Sequence, residues 1–261
     1  MPDADTPCIG IAGAGKTYAS RRGPVVALDG IDLQVRDGEF LSLLGPSGCG
    51  KSTLLRCIAG LDRLSTGTVR VRGTETRGPP DGIGMVFQRD ALLDWRTVLG
   101  NVLMACELRG QRPGPHRERA LALLDRFGLG AFADRFPWEL SGGMRQRASI
   151  CRALLPEPEI LLMDEPFGAL DAMTRDDLNV ELVRLSQATR RTVVFVTHSI
   201  PEAVFLSDRI AVLSRSPGRI AELVTVDLPR PRDLTVRETP GFAAHVAHIR
   251  ATFARLGLAA A

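Results

Sequence analysis

The chain has 261 residues, of which 44% are hydrophobic and 24% are charged, and its formal net charge is +3. This length is sufficient for a large domain with a buried core, and the composition is that of an ordinary globular protein. The basic residues are scattered along the chain, which argues against a nucleic acid as the main partner.

The opening residues MPDADTPCIG contain no positive region followed by an apolar run, so we expect no secretory signal. No stretch approaches the roughly 18 consecutive apolar residues of a membrane span. The five cysteines form no Cys-x-x-Cys pair and are odd in number. This pattern favours a reduced, cytosolic chain over a disulfide framework or a zinc site.

Short apolar or alternating runs predict strands, and segments with apolar residues at helical spacing lie between them. A mostly helical insertion is predicted from about residue 90 to residue 155. Strands that alternate with helices predict an α/β fold with a parallel sheet covered on both faces. The predicted strands are residues 31–35, 40–44, 69–71, 83–87, 160–163, 193–196 and 210–213.

The tail from Thr239 predicts a final amphipathic helix. Thr239 can cap this helix, and Pro240 suits its first turn. The apolar stripe that it would bury consists of Phe242, Val246, Ile249 and Phe253.

The phosphate-loop pattern G-x-x-x-x-G-K-[ST] occurs twice, at 10–17 and at 45–52. The pattern needs a strand before it and a helix after it, so that backbone N–H groups face the phosphates. Only the second copy has both, because YASRRGP after the first cannot continue as an apolar helix. We therefore expect Lys51 at the β- and γ-phosphates of a nucleotide, and Ser52 on Mg²⁺. The predicted loop is Gly45, Pro46, Ser47, Gly48, Cys49, Gly50, Lys51, Ser52 and Thr53.

An apolar strand at 160–163 ends in two carboxylates. Asp164 can hold the Mg²⁺ shell, and Glu165 can polarise the attacking water. An Asp-Glu-Pro sequence also commonly just ends a strand, and taken alone the two interpretations have equal weight.

A Ser-Gly-Gly sequence, Ser141, Gly142 and Gly143, opens a helical segment predicted at 146–155. Such a helix start binds anions through unhindered N–H groups and carries a capping hydroxyl. The segment LSGGMRQ resembles the LSGGQ signature of the ATP-binding cassette family. The other family motifs follow one another in order: Tyr18 as the adenine-stacking aromatic, the phosphate loop, Gln88, the signature, Asp164 with Glu165, Ala169-Leu170-Asp171, and His198.

The resemblance implies an ATP-hydrolysing, Mg²⁺-dependent subunit that forms a head-to-tail homodimer. Each ATP would lie between the phosphate loop of one subunit and the signature of the other. Gln88 would sense Mg²⁺ and the water, His198 would hold the γ-phosphate, and Asp171 would link the two sites. Glu165, His198 and Gln88 would then be catalytic, with Ser52, Gln88 and Asp164 around the metal.

The resemblance also implies a single ATPase domain over residues 1–261, with an antiparallel β part near its N-terminus. The nucleotide-binding core would comprise 1–89 and 156–225. A helical subdomain with the signature would occupy 90–155, and a tail with a helix 226–261.

Three positions depart from the usual pattern or invite a second interpretation. Signature position five is Met144 rather than Gln, and Ser199 follows His198 where Asp is commoner. Both leave the reacting groups in place, so we expect modest effects. Cys49 lies at a helix start, where a thiolate would be favoured, but we interpret it as merely tolerated.

Finer resemblance indicates the importer branch for nitrate, sulfonates, taurine and similar small solutes. This branch implies permease subunits in the membrane, an indirect solute-binding protein, and a peripheral location on the cytoplasmic face of the inner membrane. Trp95 would lie near the docked permease, with plain core packing as the competing interpretation. A soluble non-transport ATPase and an exporter cassette remain the alternatives. The segments that carry the resemblance are 93–98, 101–102, 164–175 and 216–220.

Overall fold

The computed structural model describes residues 7–21, 23–168 and 170–258. Ala169 of the predicted Ala-Leu-Asp motif lies outside the described residues, as do positions 1–6, 22 and 259–261. The chain divides into two compact units. The first unit comprises the residues up to Asp81 together with those from Asn179 onward, and the second comprises Gly82–Leu178.

Strands and helices alternate between residues 160 and 213, as the apolar pattern predicts, whereas the earlier elements come in runs of strands and of helices. The strands are β1 (Ile9–Tyr18), β2 (Val25–Val35), β3 (Phe40–Leu44), β4 (Thr66–Val71), β5 (Thr74–Glu75), β6 (Ile83–Val86), β7 (Ile160–Asp164), β8 (Thr192–Thr197), β9 (Arg209–Leu213) and β10 (Ile220–Thr225). The α-helices are α1 (Lys51–Ile58), α2 (Val98–Glu107), α3 (Arg117–Arg126), α4 (Gly142–Leu154), α5 (Ala172–Thr189), α6 (Ile200–Leu206) and α7 (Pro240–Arg255).

The first unit contains an antiparallel sheet in the order β2-β1-β4-β5. The pairing of β1 with β2 is interrupted by register shifts, as in strands that bend around a core. This sheet confirms the expected antiparallel part near the N-terminus. The extent of β1 was not predicted, because Gly and Ala occupy four of its first six positions and give little periodic signal.

A second group of strands in the first unit has the order β10-β9-β3-β8. Strand β3 pairs in parallel with both β8 and β9, and β10 joins the edge of β9 in the antiparallel sense. All five residues of β3 are buried, as expected of a strand covered on both faces. The hydroxyls of Ser42 and Ser207 satisfy each other in this interior at 2.5 Å.

The second unit contains the parallel pair β6 and β7, with Ile83 opposite Ile160 and Val86 opposite Met163. Helices α2, α3 and α4 occupy the range that the sequence predicts to be helical. Short 3₁₀ turns connect them in the Gly- and Pro-rich segments. Helix α5 begins in this unit and ends in the first.

The C-terminal helix α7 confirms the predicted amphipathic tail. The Thr239 hydroxyl accepts a hydrogen bond from the Phe242 amide at 3.3 Å, so Thr239 is the N-cap. All four residues of the predicted stripe are buried. Among the residues that the structure describes, no helix is both long and apolar enough to cross a bilayer.

Candidate functional site

The phosphate loop of the first unit joins the end of β3 to the start of α1, in the predicted context. Gly50 precedes the helix with φ 98°, a backbone conformation that residues other than glycine rarely adopt. A Cβ atom there would lie 2.7 Å from the Ala27 carbonyl oxygen. A glycine is therefore required where the chain turns into α1.

The side chain of Lys51 is folded into this loop. Its ammonium donates to the Gly45 carbonyl at 2.7 Å and to the Pro46 carbonyl at 2.9 Å. Lys51 is only 4% exposed. A buried ammonium held by backbone oxygens is preorganised to meet an anion without first being ordered.

Gly218 packs closely against the backbone of the phosphate loop. A Cβ atom on Gly218 would lie 2.1 Å from the carbonyl oxygen of Cys49, and the Gly218 amide donates to Ala27 at 2.9 Å. In the sequence, this segment is distinguished only by its part in the branch resemblance. Cys49 itself is buried, as are the other four cysteines, which are all free.

The first phosphate-loop match is a strand rather than a loop, because residues 10–17 lie within β1. Lys16 in this strand donates its ammonium to the carbonyl of Arg63 at 2.5 Å. Tyr18 ends the strand half-buried, and its hydroxyl donates to Asp62 at 2.9 Å. Burial and this carboxylate raise the pKa of the Tyr18 hydroxyl, whereas a hydrogen bond with Thr53 at the start of α1 opposes the rise.

His198 is exposed between β8 and α6, and the residues around it fix the turn. The Ser199 amide donates to the Thr197 hydroxyl at 3.0 Å, and Thr197 in turn hydrogen-bonds Glu202. The Ser199 hydroxyl accepts from the Glu202 amide at 3.4 Å and so caps α6. Ser199 therefore performs the capping that Asp would perform at this position.

In the second unit, the two predicted carboxylates follow each other at the end of β7. Asp164 is the last residue of the strand and is 7% exposed. Glu165 follows with φ 44°, which is unfavourable for a residue with a side chain. Strain of this kind is found at functional positions, where the surrounding fold holds a side chain in one direction.

The signature helix α4 begins at Gly142, four residues before the predicted helix start. Ser141 is its N-cap, and the hydroxyl accepts from the Met144 amide at 3.2 Å. The bond uses the backbone of Met144, so replacing the usual Gln leaves the cap intact. Gly142 and Gly143 contribute the first amides of the helix, and the sequence predicts that these amides face an anion.

Gln88 is exposed just after β6, and four side-chain hydrogen bonds tie the surrounding residues to α4. Gln146 donates to the Phe87 carbonyl at 3.0 Å, and Arg145 donates to the Asp90 carboxylate at 2.9 Å. Arg152 donates to the carbonyls of Asp90 and Ala91 at 2.8 and 2.6 Å. These anchors were not predicted, because nothing in the sequence relates residues 55 to 62 positions apart.

Asp171 is exposed at the start of α5, where it accepts from the Thr174 amide at 3.0 Å. This hydrogen bond holds the pKa of the Asp171 carboxyl below its usual range.

Trp95 is 74% exposed, so the alternative interpretation of core packing is wrong. The fully buried Asn101 fixes the backbone on both sides of Trp95. Its amide donates to the carbonyls of Leu93, Arg96 and Thr97, each at 3.0 Å, and accepts from the Leu93 amide at 2.7 Å. The hydrogen bonds of Asn101 thus hold the loop together from within, and the Trp95 indole remains exposed to solvent.

The predicted site residues fall into two groups, one in each unit. The first unit holds Tyr18, the phosphate loop and His198, whereas the second holds Gln88, the signature, the carboxylate pair and Asp171. The described residues contain no cluster of three His, Cys, Asp or Glu side chains suited to a metal ion.

Comparisons with known proteins agree with these motifs. The family described as ABC transporter matches residues 28–168. An uncharacterized ABC transporter ATP-binding protein of Methanocaldococcus jannaschii is 53% identical over 211 residues, which are 81% of this chain and 79% of that protein. The nitrate import ATP-binding protein NrtC of Synechococcus elongatus is 45% identical over 224 residues, 84% of this chain and 34% of that protein.

A solved structure gives the same result for the fold. The post-hydrolysis dimer of the ATP-binding cassette MJ0796, bound to ADP and Pi, matches with a TM-score of 0.77 and 33% identity. The match covers 85% of this chain and 100% of that one. The chain therefore belongs to the ABC transporter family. It is a P-loop ATPase subunit that binds and hydrolyses ATP, as the ordered motifs predict.

Proposed function

We propose that this ATPase powers the import of a small solute through separate permease subunits. The similarity to the nitrate import protein over most of this chain carries the proposal. The exposed Trp95 supports it, because a large aromatic side chain held in solvent by a satisfied loop is suited to protein contacts. Nitrate is the first solute to test, and sulfonates and taurine follow.

The phosphate loop is proposed to bind the nucleotide phosphates. The Lys51 ammonium supplies positive charge, the α1 amides supply donors, and the Tyr18 ring stacks on adenine. Ser52 would supply one oxygen to Mg²⁺, and Asp164 and Gln88 would supply others. Mg²⁺ prefers oxygen ligands and usually takes one or two carboxylates with waters and phosphates, so this donor set fits it.

Glu165 is proposed as the group that orients and polarises the attacking water. Its strained backbone conformation supports this role, because strained residues that the surrounding fold holds in one direction are concentrated at functional sites. His198 is proposed to contact the γ-phosphate. Because phosphoryl transfer depends chiefly on positioning and charge stabilisation, these groups need no covalent step.

The working assembly is proposed to be a homodimer in which Ser141, Gly142 and Gly143 of one subunit contact the nucleotide of the other. The amides at the start of α4 and the exposed Ser141 support this arrangement, because such a helix start attracts anions. The dimer of the related MJ0796 cassette also supports it. Asp171, exposed beside α5, is proposed to link the two sites.

Two measurements test the proposal. Light scattering of the Glu165→Gln variant should show a dimer with MgATP and a monomer without it, since blocked hydrolysis preserves the nucleotide sandwich. Vesicles containing the complete transporter should then accumulate labelled nitrate only with ATP and the wild-type subunit. Uptake of a sulfonate or taurine instead of nitrate would assign a different solute. Export of the solute would overturn the proposed direction of transport.

A further inference from the structure

Lys16 has an unusual place in both the sequence and the structure. Lysine and arginine total 33, yet Lys16 and Lys51 are the only lysines. The Lys16 ammonium lies over the Tyr18 ring, 4.8 Å from its centroid, and also donates to the Arg63 carbonyl at 2.5 Å. A cation in this position is attracted by the negative face of the ring.

The segment that follows α1 also makes hydrogen bonds with Thr17 and Tyr18 of this strand. The Tyr18 hydroxyl donates to Asp62 at 2.9 Å, and Arg56 at the end of α1 lies 3.6 Å from that carboxylate. The Thr17 amide donates to the Ser65 hydroxyl at 2.9 Å. The aromatic ring is thus held at its hydroxyl by Asp62 and on one face by Lys16, whose ammonium is itself bonded to the Arg63 carbonyl.

With the Lys16 ammonium over one face of the ring, a flat ligand can stack only on the opposite face. Since the ring is already ordered, stacking a base on it costs less conformational entropy than ordering a mobile side chain. An ammonium on the far side also attracts the ring electrons, so the ring stays in this orientation when the base is absent.

We propose that Lys16 is a positioning residue for base recognition, which holds the Tyr18 ring ready to stack on adenine while leaving phosphate binding to Lys51. The proposal rests on the proposed role of Tyr18. It gives the lysine of the false phosphate-loop match a function through another residue. Among the described residues, Lys16 contacts the Tyr18 ring and the Arg63 carbonyl, so we expect the effect of its charge at the base.

Calorimetry with MgADP and with magnesium pyrophosphate separates the two parts of the ligand. Replacing Lys16 by Met keeps an unbranched side chain and removes the charge. We expect Lys16→Met to raise the Kd for ADP about two- to fivefold and to leave the Kd for pyrophosphate unchanged. Lys16→Arg should restore the affinity for ADP. Arg70→Met, which removes an exposed cation from β4 of the same sheet, is the matched control and should change neither constant.

Nuclear magnetic resonance gives an independent test, because Tyr18 is the only tyrosine of the chain. Protein labelled with ¹³C-tyrosine should give one set of ring signals. ADP should shift these signals through the ring current of adenine, whereas pyrophosphate should not. In Lys16→Met the shift on adding ADP should be smaller at equal saturation, because the ring samples more orientations.

The outcomes distinguish this proposal from the one on which it rests. If Tyr18→Ala binds ADP as tightly as the wild type, Tyr18 does not stack on adenine and both proposals are overturned. If Tyr18→Ala weakens ADP binding but Lys16→Met does not, only the role of Lys16 is overturned. Equal weakening of ADP and pyrophosphate by Lys16→Met would likewise overturn it, because the effect would then lie in the phosphate loop.

Discussion

Arg145 of the signature helix and Asp90, two residues after Gln88, form an ion pair with 2.9 Å between Nε and Oδ2. Both side chains are about one-third exposed. Arg145 also donates to the Leu140 carbonyl at 2.8 Å, so one guanidinium fixes both the helix start and the segment after β6. The signature helix and the loop that carries Gln88 are therefore held as one structural piece within the second unit.

Replacing Arg145 by Met should lower the free energy of unfolding by about 1 kcal/mol, because the partly exposed carboxylate of Asp90 loses its partner. Urea denaturation measures this change, and a double-mutant cycle with Asp90→Asn isolates the pair. Arg135→Met removes a more exposed ion pair with Glu139 from the same unit and serves as the control. A cycle that gives no coupling energy would show that the two residues do not act together.

The Glu165→Gln variant should bind ATP as the wild type does and hydrolyse it about 10²-fold more slowly or worse, since the amide cannot act as a general base. Phosphate release in single-turnover experiments measures the chemical step. Glu118→Gln, an exposed change in α3, should hydrolyse normally. Normal hydrolysis by the Glu165 variant would remove this residue from the mechanism.

Lys51→Ala should weaken binding of ADP and pyrophosphate alike, by about 10- to 100-fold, because it removes a charged donor from the phosphate loop. The same calorimetric titrations measure both constants. This pattern contrasts with the base-specific effect expected for Lys16→Met. Unchanged pyrophosphate binding would show that Lys51 does not bind the phosphates.

Trp95→Ala should change the unfolding free energy by less than about 0.5 kcal/mol, because the indole is exposed. The ATPase rate of the isolated subunit should also stay unchanged, whereas transport by the complete system should fall. Leu108→Ala, at an apolar side chain 79% exposed in the same unit, is the control. Equal loss of transport in both variants would argue against a specific permease contact at Trp95.

The attachment of α7 to β10 should depend on pH. The Thr252 hydroxyl and the His248 imidazole hold the pKa of the Glu222 carboxyl below its ordinary value of 4.5. A carboxyl with a lowered pKa in the folded state adds stability above its unfolded pKa, and this is lost as pH falls through the folded value. Urea denaturation should therefore show a loss of stability below pH 4.5 that Glu222→Gln reduces.

The exposed Glu238 provides the control for this pH dependence. Glu238→Gln should leave the loss of stability at low pH as it is in the wild type. If Glu222→Gln and the wild type lose stability in parallel, the carboxyl of Glu222 does not contribute.

The strands and the phosphate loop could be predicted because their signals are local. The run at 40–44 is apolar throughout, and the pattern at 45–52 requires only a neighbouring strand and helix to be interpreted. The order of the family motifs then identified the family. The individual roles of the site residues stay predictions until the variants are measured.

The sequence by itself determined the fold class, the phosphate loop and the family, since periodicity and motif order survive without coordinates. Only the tertiary structure decided that Trp95 is exposed, that Gly218 backs the phosphate loop, that Arg145 meets Asp90, and that Lys16 covers Tyr18. The exposure of Trp95 depends on how the loop around Asn101 folds. Each of the other three contacts brings together backbone segments or side chains, and neither local propensity nor the number of charges encodes which surface a side chain will contact.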